Sequence, residues 1–128
     1  MTALVEEADA SPEVRAVYDD IKATRRVDSV NNFWKALAAH PPTLARTWAS
    51  VKEVMAAGAL DPLVKELVYV AVSVTNGCEY CIASHTAVAR AKGMTDEQYG
   101  ELLAVIGMAN ETNALASGLR VPVDAAFG

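Results

Sequence analysis

The 128 residues carry a net charge of −5, and 52% of them are hydrophobic. That length is one ordinary domain, 1–128, and the apolar share stands at the top of the range for a soluble domain. Scattered basic residues, of which only Arg25 and Arg26 are adjacent, exclude a phosphate-binding surface and hence a nucleic-acid partner. A chain so small and so apolar is expected to bury part of its surplus against copies of itself.

In chain order, the first helix is announced by Ser11-Pro12-Glu13: an N-cap, a proline at the first helical position and an acid in the first turn. Val14, Val17, Tyr18 and Ile21 follow at helical spacing. A shorter helix takes in Phe33, Trp34 and Leu37, and Pro41-Pro42 ends it. The next is expected to open at Pro42, to carry Leu44, Trp48, Val51 and Met55 on one face, and to stop at Gly58. Trp34, Trp48 and His40 read as structural.

Asp61-Pro62 caps a segment whose second half, Leu67 to Val74, is rich in β-branched residues. Local propensity favours a strand there, whereas a fully buried helix has the same composition, and periodicity does not separate the two. This run is far shorter than the roughly 20 residues a bilayer span needs. With no basic residue among the acids of the first ten positions, neither a signal peptide nor a membrane partner is expected. The expected location is the cytoplasm.

Thr75-Asn76-Gly77 breaks the chain before a helix over about 78–92, after which Gly93 suits a left-handed backbone. Thr95 and Gln98 form a capping box for a helix with Tyr99, Leu102, Leu103 and Ile106 on one face. A final helical stretch is expected through Leu115 and Leu119, and an irregular tail from Val121.

The chemistry is concentrated in Cys78-Glu79-Tyr80-Cys81-Ile82-Ala83-Ser84-His85. On a helix, Cys81 and His85 are four residues apart and stack one above the other, with Cys78 on the same face. The first thiol stands where unpaired N–H groups and the helix dipole favour an anion. A thiolate is the nucleophile, and a helix start or an imidazole favours it. A second thiol is placed to displace the oxidised first one, which suits two-electron redox cycling.

A zinc site is the rival use of Cys78, Cys81 and His85, but closed structural zinc takes four ligands, and the remaining His40 is far upstream. A thioredoxin-type fold needs more strands than the sequence offers. The bland alternative is an inert pair of buried thiols with a solvent-facing His85. Glu66 is either the polar face of a helix's first turns or a partly buried carboxylate that orients water or His85 and accepts a proton. Tyr80 either packs or presents its hydroxyl to the site.

The order Lys65-Glu66, apolar run, Asn76-Gly77-Cys78-x-Tyr80-Cys81-x-x-x-His85 and Gly93 resembles the alkylhydroperoxidase D-like branch of the carboxymuconolactone decarboxylase superfamily. Phe33, Pro41, Leu44 and Gly58-Ala59-Leu60 also fall where such proteins carry similar residues, so the likeness covers about residues 30–118. It implies an all-α domain, with residues 62–74 a buried helix, assembled as a homotrimer or homohexamer. It further implies a peroxidase that reduces hydroperoxides with Cys81 as the attacking thiol and Cys78 as the resolving one. Glu66 and His85 map onto the family's proton relay, acting through water. The implied partners are a hydroperoxide and a dithiol or protein electron donor, with no cofactor and no metal. The lactone decarboxylase of the superfamily generally lacks the cysteine pair, so its chemistry is disfavoured. Some family peroxidases have a histidine where this chain has Tyr80, and tyrosine is a far weaker base near neutral pH. Dithiol–disulfide exchange or redox sensing without peroxidase turnover is therefore the alternative function.

Overall fold

A computed structural model describes residues 3–128, and among these there are helices and no strand. They form two compact units, one up to residue 56 and one of residues 57–128. The first contains α1 (Pro12–Arg25), α2 (Asn32–Leu37) and α3 (Pro41–Val54) after a short 3-10 turn at Glu7–Asp9. The second contains α4 (Pro62–Asn76), α5 (Glu79–Ala91) and α6 (Asp96–Gly118), with a 3-10 turn at Ala125–Phe127 in the tail.

In the first unit, Ser11 caps α1 by accepting the Val14 N–H at 3.3 Å, and Pro12 occupies the first turn, where its missing N–H costs nothing. Val14, Tyr18 and Ile21 form the buried stripe of α1 and join Trp34, Leu44 and Trp48 in one core. The two indoles meet edge to face at 5.4 Å, and the Arg25 guanidinium lies over both rings. Trp48 Nε1 donates to Asp20 at 2.7 Å, and Lys52 donates to the same carboxylate. These bonds, together with the Lys52 charge, hold the Asp20 carboxyl below the usual carboxylate range. Trp34 and Trp48 are thus structural, as the sequence suggests, and His40 is the N-cap of α3 with its ring against Thr43.

Two boundaries differ from the sequence reading. Helix α3 begins at Pro41 and ends at Val54, with Met55 as a right-handed cap, so Gly58 is not its stop. Gly58 is also absent from the left-handed region, which among the glycines only Gly77, Gly93 and Gly128 enter. The stretch through Leu115 is no separate helix, because α6 runs unbroken for 23 residues.

In the second unit, α4 packs against both α5 and α6. The ambiguous Leu67–Val74 run is helical. Asp61 caps its first turn through the Leu63 N–H at 2.8 Å, Pro62 begins it, and Gly77 at φ 69° ends it. Strong punctuation at both ends and burial of Glu66, Val70 and Ser73 along one face outweigh a local strand propensity that spans only about 1 kcal/mol. Gly77 turns the chain at once into Cys78, the N-cap of α5. This fixes where the dithiol stands.

Candidate active site

Cys78 has extended backbone, φ −86° and ψ 91°, and its Sγ accepts the Cys81 N–H at 3.3 Å. The Cys78 sulfur therefore does the work that a Ser or Asp oxygen does at most helix starts, meeting an N–H that has no partner within the helix. Cys78 and Cys81 are joined as a disulfide with their Cα atoms 5.3 Å apart. Both are partly exposed.

His85 lies one turn beyond Cys81 on α5. Its Nδ1 is 2.6 Å from Glu66 Oε2, across the packed α4–α5 pair. The side chains are 14% and 7% exposed, so this is a largely dry contact rather than a surface pairing. Glu66 is thus no solvated first-turn residue, and His85 does not face solvent. When the carboxylate is ionised it can only accept, so Nδ1–H would donate to it, and a neutral imidazole would then keep its lone pair on Nε2. Tyr69, one turn after Glu66 on α4, stacks on the imidazole with ring centroids 3.5 Å apart and planes 20° from parallel.

The structure thus brings Glu66 and His85 into contact, with His85 on α5, the helix that carries Cys81 and is capped by Cys78, and Glu66 on α4 packed against it. Tyr80, between the cysteines, is 43% exposed. Among the described residues, no three His, Cys, Asp or Glu side chains are grouped to hold a metal ion, and no helix is long and apolar enough to cross a membrane. Tyr69 is the site residue that the sequence reading missed. Its i+3 spacing from Glu66 was the available signal, since it puts both on one face of α4.

The helical pair thus carries a dithiol at one helix start and, one turn beyond Cys81, an imidazole held by a buried carboxylate. The model of the carboxymuconolactone decarboxylase family matches residues 42–124. The chain belongs to that family, in its alkylhydroperoxidase D-like branch. It is 35% identical over 106 residues to an alkyl hydroperoxide reductase AhpD from Solibacter usitatus, covering 80% of this chain and 58% of that one. An AhpD from Anaeromyxobacter sp. is 37% identical over 131 residues, covering 93% of this chain and 68% of that protein. The chain thus spans roughly three fifths to two thirds of these relatives. The crystal structure of the alkylhydroperoxidase AhpD core from Rhodospirillum rubrum superimposes with a TM-score of 0.96 at 55% identity, covering 99% of this chain and 96% of that one.

Proposed function

We propose that this protein is a thiol-dependent peroxidase that reduces hydroperoxides at the Cys78–Cys81 dithiol. The observation that carries this reading is the His85–Glu66 contact one turn behind Cys81. In the reduced protein, His85 Nε2 takes the Cys81 thiol proton directly or through water, and Glu66 balances the imidazolium charge. The thiolate attacks the terminal oxygen of the hydroperoxide and the O–O bond breaks. The alkoxide leaves as an alcohol with the proton held by His85, and Cys81 becomes a sulfenic acid. Cys78 then attacks that sulfur, water departs and the disulfide forms. An external dithiol or protein electron donor reduces it by exchange. Tyr80, exposed between the two cysteines, is surface that an incoming peroxide or donor meets. The cytoplasm is the setting, because a reducing compartment returns such pairs to thiols.

Names borne by similar proteins support the peroxidase reading at moderate identity. A second reading, dithiol–disulfide exchange without peroxide turnover, draws on the partial exposure of both cysteines and on Tyr80 in place of a histidine. Steady-state assay with cumene hydroperoxide and dithiothreitol separates the two. The peroxidase reading predicts consumption of peroxide proportional to protein over many turnovers. Reduction of a protein disulfide with no peroxide loss would favour the second.

We also infer a homo-oligomer, trimeric or hexameric. Val64, Val68 and Val72 recur every four residues as an exposed stripe on α4, and Val105, Met108 and Leu115 are exposed on α6. Light scattering at micromolar concentration should give a mass well above 13.6 kDa. A monomer would leave this apolar surface unexplained.

A further inference from the structure

We propose that Tyr69 is a positioning residue for His85, acting through its ring face rather than its hydroxyl. The inference rests on the reading of His85 as proton acceptor for the dithiol. A single hydrogen bond at Nδ1 fixes one edge of the imidazole but leaves the ring free to rock about that contact. Tyr69 removes this freedom by covering a face at a centroid distance of 3.5 Å and a 20° tilt. Because Glu66 and Tyr69 stand one turn apart on α4, one rigid element holds both the edge and the face of the ring. The direction of Nε2, the nitrogen left to exchange a proton, is thereby set.

The platform itself is well seated. Val70, next in the chain, is wholly buried, and Ser73 Oγ donates to the Tyr69 carbonyl at 2.8 Å. Both contacts hold the α4 backbone where the ring is attached. The electron-rich face of a phenol also favours a cation above it, so the stack supports the imidazolium that forms when His85 takes a proton. Phenylalanine keeps the face and the cation attraction, whereas an aliphatic side chain keeps only the bulk.

The test compares Tyr69→Phe and Tyr69→Leu in the full chain, with two rates and one spectroscopic signal. The rates are alkylation of the reduced dithiol by iodoacetamide, which needs no peroxide, and oxidation by one equivalent of cumene hydroperoxide. The signal is the upfield ring-current shift of the His85 ring protons in NMR. Tyr69→Phe should retain the shift and stay within about two-fold of wild type. Tyr69→Leu should lose the shift and slow both reactions by about 10- to 100-fold, the scale of a misoriented catalytic group. If Tyr69→Leu alters the circular dichroism, Tyr69→Met supplies the same comparison. Wild-type rates in Tyr69→Leu, or a Tyr69→Phe as slow as Tyr69→Leu, would overturn the proposal. A wild-type protein inert to hydroperoxide, yet showing the alkylation pattern predicted, would sink the peroxidase reading and leave the positioning role standing.

Discussion

Cys81→Ser is expected to reduce peroxide no faster than buffer does, whereas Cys78→Ser should still react once and then stop. The division follows from the positions of the two sulfurs. Cys81 lies one helical turn before His85, at the i,i+4 spacing that puts side chains side by side. Cys78 is a further turn away and stands at the helix cap, where it is placed to condense with an oxidised neighbour. In Cys78→Ser the first step leaves a sulfenic acid with no thiol to resolve it, and a dimedone-type reagent should label it. Serine is also a good N-cap, so this variant should fold normally. One feature favours the opposite assignment: Cys78 Sγ accepts the Cys81 N–H at 3.3 Å, a contact that would steady a thiolate at Cys78. Labelling confined to Cys81→Ser would therefore make Cys78 the attacking thiol.

The second large effect is expected at Glu66. Glu66→Gln keeps the volume and an acceptor for Nδ1–H but removes the charge that balances the imidazolium. Oxidation by hydroperoxide should slow by about 10²- to 10⁴-fold, the usual worth of positioned proton transfer. Helix content should stay unchanged, because the amide oxygen still satisfies the buried Nδ1–H. Stopped-flow measurement of thiol loss reads this directly. A Glu66→Gln rate equal to wild type would reduce the carboxylate to a structural partner of His85.

Much of this site could be read from spacing, because local geometry determines it. Cys78, Cys81 and His85 fall within three turns of one helix, and Asn76-Gly77 marks where that helix must begin. Asp61-Pro62 and Thr95 with Gln98 likewise mark their helices correctly, the latter with both halves of the capping box formed. The contact between Glu66 and His85 was not legible in this way. The two are 19 residues apart, and only the packing of α4 on α5 joins them. Tyr69 shares a face with Glu66 by its i+3 spacing, but inside a run of apolar residues nothing local tells that this face meets the next helix. The same run misled local propensity, since valine-rich sequence fits a pleated strand as well as a buried helix. Helix α6 shows the converse error. The stretch through Leu115, read as a further helix, continues α6 without a break, and Ala104, Ala109, Ala114 and Ala116 favour that continuation. Gly58 failed as a stop signal because α3 closes earlier on Met55 without a left-handed residue.

Peroxide reduction by the intact dithiol is tested most directly by thiol titration before and after one equivalent of hydroperoxide, with peptide mapping of the product. The reduced chain should begin with two reactive thiols, its full cysteine content. Both should disappear with the formation of one equivalent of alcohol, and the map should show Cys78 linked to Cys81 within one chain. Two thiols still titrating beside unconsumed peroxide would contradict the account.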